Sequence, residues 1–420
     1  MSTSSAEFRA ALDEAPARPK AAARTRQIPA DNPEGRSPLV RWLSVITLGL
    51  GVFAIVTSEL LPVGLLPPIA KDVGVSDGVA GLTVTLYGAV AALTAVPLTA
   101  LFGRTDRRLL VPALMAVVVA GNVVTAYAPN YTVLILARIL MGFAHGVFWS
   151  TVPGSTVRLV PERQSVKATA IVLSGISIAS VLGVPLGTYL GQQTEWQVAF
   201  LAMAGLGVLV MVGALLLLPA LPAGGASLSA IPSLLRRRPF MTALLVTCLT
   251  MIGHYLAFTY ITPYLERETG IDSGLIGVLL LVFGVAGVAG NFLAGATVAR
   301  SLRGSLIGAV GGLVVSMVLL AVLRDWEIAA YAVLVLWGLA YAALPVCLQT
   351  WVMTSAADAT DSASSLYITC FNTSIALGSL LGGLTVDHIG LASITWIAGG
   401  LAAAALLAIV TVGRPRPTDA

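Results

Sequence analysis

Residues 41–67 read RWLSVITLGLGVFAIVTSELLPVGLLP, with one Arg at the start and a single acid, Glu59, inside. A helix that crosses a bilayer needs about 20 mostly apolar residues, and this run exceeds that. Similar runs recur to residue 412, broken by short polar turns. Twelve can be delimited, over 41–67, 78–102, 109–128, 132–155, 167–191, 198–219, 241–265, 273–299, 304–323, 328–353, 363–386 and 391–412. The chain has 420 residues, 57% of them hydrophobic and 10% charged, with mean hydropathy +0.91. Soluble domains carry about 25% charged residues, so this much apolar surface must face lipid. Lipid offers no hydrogen bonds to the backbone, and the runs are too long for barrel strands of about ten residues, which leaves helix. The expected fold class is an all-α membrane protein with 12 transmembrane helices.

Charge orients the spans. Of the 24 Lys and Arg residues, 20 fall in the tails and in the loops leading from even to odd spans. Lys71, Arg267 and Arg324 fall in the opposite loops, and Arg138 lies within a span. The positive-inside rule then puts both termini in the cytoplasm. This loop bias accounts for the net charge of +4, so no nucleic-acid partner is implied. The three Cys residues (248, 347 and 370) lie in spans without a metal-ligand or disulfide framework. No cofactor and no metal is expected.

The chain divides into a tail over 1–40, rich in Ala, Arg, Pro and Ser, a six-span half over 41–219, a linker over 220–240, a second six-span half over 241–412 and a tail over 413–420. The first tail has a disordered composition and lacks the apolar core of a signal peptide. An offset of 195 residues places Glu59 on His254, Pro68 on Pro263, Arg108 on Arg303, Gly183 on Gly378, Gly187 on Gly382 and Gly205 on Gly400. Parallel repeats of this kind put a binding site near mid-membrane between two pseudo-symmetric halves.

Ionisable groups inside a membrane are costly and mark function or a structural bond. Deep within the spans they are Glu59, Arg138, His145 and His254. Glu59 reads as a proton carrier, because a buried carboxylate takes or releases a proton as its surroundings change; the other reading is a structural ion pair, or a cap on the backbone broken beside Pro62. Arg138, Gly142, His145 and Trp149 share one helical face. There Arg138 is either a counter-charge to Glu59 or substrate, or an Arg snorkelling to the interface, and His145 is either a substrate contact or a packing imidazole. His254 and Tyr255 share a face with residues 251, 258 and 262, and His254 could face Glu59 across a central cavity. Tyr87, Tyr341, Gln349 and Asn372 can bind solute hydroxyls or bridge helices, and Trp149 and Tyr255 are further candidate solute contacts. In the fifth span Gly183, Gly187 and Gly191 repeat every four residues, which lets a neighbouring helix approach closely, and Pro185 removes an N–H and bends the helix. A sharper reading makes this stripe a rocking seam.

These strings resemble the major facilitator superfamily over about residues 41–412. Arg138 and Gly142 look like its motif B, whose Arg is implicated in proton transfer. Gly183, Pro185 and Gly187 look like motif C, the antiporter motif, which implies export. Arg107 and Arg108 match the end of motif A, in which the usual Asp position holds Gly103 and Asp106 is displaced. The resemblance is closest to bacterial sugar efflux transporters of the SotB and arabinose-efflux type, through SELLPVGLLPPIA, RILMGFAHGVFWS, LGVPLG, HYLAFTYITPYL and FNTSIALGSLLGG. It implies a proton-coupled antiporter in the bacterial cell membrane, a monomer whose partners are lipid, protons and a small solute, with Glu59, Arg138 and His254 coupling the proton. Sugar is the first substrate expected; a drug, amphenicol or nucleoside is the alternative. An enzyme is disfavoured, because no HExxH, nucleophile elbow, phosphate loop or Cys/His metal spacing occurs. A receptor or scaffold without transport is the remote alternative, and no soluble sensory domain supports it.

Overall fold

The computed structural model describes residues 37–102, 105–220 and 231–411. Most of the expected N-terminal tail, Gly103, residues 221–230 of the linker and the C-terminal tail from 412 lie outside the described residues. Within them the regular structure is helical throughout, and twelve helices are long and apolar enough to cross a membrane. They are α1 (Pro38–Val73), α2 (Asp77–Phe102), α3 (Arg107–Ala126), α4 (Tyr131–Thr156), α5 (Glu162–Gln193), α6 (Trp196–Leu217), α7 (Arg238–Phe258), α8 (Ser273–Val298), α9 (Leu302–Val322), α10 (Glu327–Thr354), α11 (Thr360–His388) and α12 (Ser393–Thr411). Short polar residues start many of them. The side chains of Asp106, Asn130, Asp272 and Ser301 accept backbone N–H groups at the starts of α3, α4, α8 and α9. Gly74, at φ 70°, closes α1 in the left-handed region that suits glycine. Large apolar side chains such as Leu216 (76% exposed) and Phe292 (73%) stand on the outer surface, where hydrocarbon covers them.

Prolines shape three spans beyond what the expected boundaries convey. α1 runs past residue 67 to Val73 with Pro62, Pro67 and Pro68 inside it, and its helical geometry lapses at Leu65 (φ −119°, ψ 15°). The seventh span is broken. α7 ends at Phe258, and a further helix, Ile261–Arg267, follows Tyr260 (φ −110°, ψ 20°). α5 contains a widened π turn at Ala179–Gly183, in which the Val184 N–H reaches back to Ala179 O, directly before Pro185. A π turn takes up the backbone disruption that Pro causes, so the chain stays hydrogen-bonded through the bend.

The 195-residue repeat is visible in three dimensions. Leu65 and Tyr260 are 195 apart and break their helices with nearly the same dihedrals. Packing repeats too. Gly183 lies against Thr57 and Gly187 against Leu61, while Gly378 lies against Ile252 and Gly382 against Leu256. Each pair is the other moved by the same offset, so α5 docks on α1 as α11 docks on α7. The glycine stripe of α5 therefore seals α1 to α5 inside the N-terminal half. It is not the seam between the halves.

That seam runs along α2 against α11 and α5 against α8. Polar contacts join the halves on the side away from the termini. Asp77 at the start of α2 pairs with Arg267 at 2.5 Å. Asp387 at the end of α11 accepts from the Ser76 hydroxyl at 2.7 Å and from the Gly78 N–H at 3.2 Å. Tyr260 donates to Gly78 O at 3.3 Å, and Thr262 donates to Val63 O at 2.8 Å. On the side of the termini a contact lies within the C-terminal portion: Arg237, before α7, donates to both oxygens of Asp358, between α10 and α11 (2.6 and 2.7 Å), which holds that carboxyl low, at about 2.

A side chain added at Gly183 would collide with Thr57, whereas one at Gly205 meets nothing within 4 Å. Gly183→Val should therefore cost about 1–3 kcal/mol of stability and lower the unfolding temperature in detergent, and Gly205→Val should leave it unchanged. Equal effects of the two would show that α5 does not need its close approach to α1.

Candidate functional site

Proline makes the first requirement of the site. Pro62 has no N–H to give to the Ser58 carbonyl one turn earlier, and an unpaired carbonyl in a membrane interior is costly. Arg138 of α4 supplies the donor. Its Nη1 bonds Ser58 O at 2.7 Å, its Nη2 bonds Glu59 O at 2.8 Å and its Nε bonds Thr83 O at 3.2 Å. The guanidinium lies 4.7 Å from the Tyr87 ring centroid, and the residue is fully buried. Arg138 is thus neither a snorkelling residue nor a direct partner of the Glu59 carboxylate; it is the cap on the α1 backbone. Gly142, one turn along α4, lies directly against the Tyr87 carbonyl and lets α4 approach α2.

Because Arg138 is engaged by carbonyls, the Glu59 side chain is left lightly held. Glu59 Oε2 sits 3.7 Å from His145 Nδ1, and Oε1 is buried with no hydrogen-bond partner among the described residues. His145 Nδ1 is also 3.3 Å from the Tyr87 hydroxyl. Trp149 packs beyond, with its ring 6.2 Å from that of His145. Glu59, Tyr87, Arg138 and His145 therefore form one buried cluster in the N-terminal half. Next to it, Asn122 donates to the Ser58 hydroxyl at 3.1 Å.

His254 stands at the repeat position of Glu59, and its surroundings are entirely different. Trp337 Nε1 donates to its Nδ1 at 3.0 Å. Indole N–H is only a donor, so Nδ1 is the acceptor and the ring hydrogen is on Nε2, which has no partner. Its ring stacks on Tyr341 at 3.6 Å and 7°, and on Phe258 at 5.0 Å and 19°. The imidazole brought beside Glu59 is that of His145, and the expected facing of Glu59 and His254 is not formed. Tyr255 meets Tyr341 through their hydroxyls at 3.0 Å.

Between the halves lies a cavity of about 280 Å³. Leu60 of α1 and Ser177 and Ser180 of α5 line it from one half; Tyr255 and Phe258 of α7, Phe283 and Asn291 of α8, and Tyr341 of α10 line it from the other. Tyr255 and Tyr341 were expected to meet solute, and both reach this wall. Gln349 is exposed and outside it, and the Asn372 amide donates to Ile368 O at 3.0 Å within its own helix. Arg107 is buried at the start of α3, where Asp106 accepts the Arg108 N–H at 2.9 Å. Sequence reasoning put residue 258 on the His254 face without giving it a role, and it missed Phe283 and Asn291. Phe258 and Phe283 are aromatic residues that read as ordinary packing, while the lone Asn in the apolar α8 was a usable signal. It also missed Asp77, Arg267 and Asp387, which lie at helix ends where no periodicity operates.

Comparison with known proteins identifies the family. The profile of the Major Facilitator Superfamily matches residues 48–378, and again 243–420. The chain is 16% identical to a bacterial homologue of the human lysosomal transporter Spinster, solved in inward-facing unoccupied and occupied conformations. The TM-scores are 0.65 and 0.68, covering 89% of this chain and 95% of that one. It is also 16% identical to the human organic anion transporter MFSD10 (TETRAN), with a TM-score of 0.64, covering 89% of this chain and all of that one (100%). The chain belongs to the Major Facilitator Superfamily and is a multi-pass membrane transporter.

If Arg138 acts by capping α1, Arg138→Ala leaves buried carbonyls without donors, at about 1–3 kcal/mol each. Its unfolding temperature in detergent should fall well below that of Glu59→Gln, which removes no bond to Oε1. Adding Pro62→Ala returns an N–H to Ser58 O and should recover part of the loss. No recovery in the double variant would mean that Arg138 is needed for its charge alone.

Proposed function

We propose that this transporter of the Major Facilitator Superfamily is a proton-coupled antiporter, which exports a small neutral solute from a bacterial cell by alternating access. The observation that carries the reading is the state of Glu59. It is a buried acid with one oxygen that has no partner among the described residues, and it lies beside His145, which in turn meets the Tyr87 hydroxyl. A carboxylate fixed in a structural ion pair would have both oxygens engaged. One held by a single neighbour at 3.7 Å can take a proton from one compartment and release it to the other as the halves rock. Arg138 holds Glu59 in place through the backbone and leaves its side chain free to titrate.

Export is supported by the resemblance of Gly183, Pro185 and Gly187 to the antiporter motif. The positively charged loops support cytoplasmic termini, so the contacts at Asp77, Arg267 and Asp387 would close the outer face. Within this scheme His254 is a positioning residue, which fixes Tyr341 by stacking and Trp337 by a hydrogen bond, and it carries no proton. A sugar is the substrate to try first, on the strength of the family resemblance. The aromatic wall of the cavity favours the alternative of a drug, amphenicol or nucleoside.

The test uses purified protein in liposomes holding a pH-sensitive dye, with sugars, nucleosides and amphenicols supplied in turn. A solute that drives proton movement through the wild type should drive none through Glu59→Gln, although Glu59→Gln still exchanges that solute across the membrane. Solute-driven proton movement that survives in Glu59→Gln would remove Glu59 from the coupling path. Solute movement without any proton movement in the wild type would make the protein a uniporter.

A further inference from the structure

The chemistry of the cavity wall narrows what it can hold. The described residues that line it include no Asp, Glu, Lys, Arg or His. An ion brought there would lose its hydration without a counter-charge, which is costly in a low-dielectric site. The wall of the C-terminal half is a run of nearly parallel rings. His254 stacks on Tyr341, Tyr341 lies 6.2 Å and 24° from Phe283, and Phe283 lies 5.2 Å and 28° from Phe258. Tyr341, Phe283 and Phe258 present this run to the cavity. A flat ring can lie offset against such a surface and gain both area burial and stacking.

Hydrogen counting at the phenols adds a second requirement. Tyr255 and Tyr341 have one hydroxyl hydrogen each, and their oxygens are 3.0 Å apart. One hydrogen makes that bond. The other has no acceptor among the described residues, and a buried donor left unpaired costs free energy. A bound solute that supplies an oxygen acceptor removes this cost. Asn291, an amide with no partner among the described residues, is the other polar group on this half of the wall. On the other half of the wall Ser180 already donates to Ile176 O, and Ser177 adds one hydroxyl. So few free donors and acceptors cannot satisfy every hydroxyl of a bare polyol.

We infer that the cavity selects an uncharged solute with a flat aromatic ring and an adjoining acceptor oxygen, the chemistry of an aryl glycoside or a nucleoside, over a free sugar or an ion. This rests on the reading of the cavity as the substrate site of the transporter.

Equilibrium binding to the full-length protein in detergent at one pH tests the inference without involving proton coupling. Two matched sets of probes are used. One is phenyl β-glucoside, glucose and phenyl β-glucuronide; the other is uridine, ribose and uridine monophosphate. The neutral aromatic member of at least one set should bind about tenfold or more tighter than both companions. Phe283→Leu keeps an apolar side chain and loses the ring. It should weaken that aromatic member about tenfold, with no change for the sugar and an unchanged unfolding temperature. The double variant Tyr255→Phe and Tyr341→Phe should weaken it as well. The inference is overturned if in both sets the sugar or the charged member binds as tightly as the neutral aromatic one, if no probe binds, or if Phe283→Leu weakens the sugar equally. Tight binding of a free sugar would overturn it while leaving the antiporter reading intact, since that reading is judged by proton movement in liposomes.

Discussion

An unpaired backbone carbonyl inside a bilayer has no water to turn to, and α1 creates such carbonyls with its own prolines. Pro62 orphans Ser58 O and Pro67 orphans Val63 O. The chain answers each from a different helix: Arg138 of α4 donates to the first, and Thr262, beyond the break in the seventh span, donates to the second. The first bond fixes α1 within its half and the second ties it to the other half. Much of the site follows from this division. The guanidinium that might have neutralised Glu59 is held by three carbonyls, so a buried carboxylate survives beside a buried cation without being locked to it. On the proposed reading of Glu59 as the proton carrier, the prolines that bend α1 thereby set how freely its side chain is held.

The two halves repeat one packing arrangement and place different side chains at equivalent positions. Glu59 and His254 occupy one repeat position, Gly142 and Trp337 another. Where α4 has Gly142 lying against the Tyr87 carbonyl, α10 has an indole that reaches His254. Bulk at that position fills the C-terminal half with rings, and its absence in the N-terminal half leaves room for Arg138, Tyr87 and His145 to converge. One half holds the titratable group and the other an apolar, stacked wall. The cavity has rings on one side and Leu60, the neighbour of Glu59 in α1, on the other. On the proposed reading, coupling would then run through the position of α1 and need no direct contact between solute and carboxylate.

Much of this was legible in the sequence, for physical reasons. Lipid demands long apolar runs, so all twelve spans could be delimited, and the 195-residue offset reappears in the Leu65 and Tyr260 breaks and in the paired glycine contacts. Buried charge is expensive, so Glu59, Arg138 and His145 stood out, and they are together. What periodicity cannot give is the partner across a helix interface. It put Arg138 on an inward face and could not say that carbonyls, not the Glu59 carboxylate, would take it, nor that the imidazole near Glu59 would be His145 and not His254. Loss of an N–H at Pro185 was readable, and the π turn that absorbs it was not, because the hydrogen-bond shift depends on the packing of α5 against α1. Phe258 and Phe283 look like packing residues because in a membrane chain lipid-facing, packing and solute-facing rings share one composition.

The placement of the polar contacts also bears on how the halves can move. In a cycle of alternating access, contacts between the halves must break and re-form, while those inside a half can persist. The Arg138 bonds are of the second kind and lie deep in the N-terminal half. Asp77 with Arg267, and Asp387 with Ser76 and Gly78, are of the first kind, and they sit at helix ends where water can replace each partner as it leaves. Two contacts between the halves are buried, Tyr260 with Gly78 O and Thr262 with Val63 O, and the second holds a carbonyl that Pro67 has orphaned. Breaking it exposes a proline-orphaned carbonyl unless water follows, so that separation is costly until the outer contacts have parted. In the proposed cycle, opening would run from the helix ends at Asp77 and Asp387 inward, in the order in which water can reach, and the second proline-made gap in α1 would be its innermost latch.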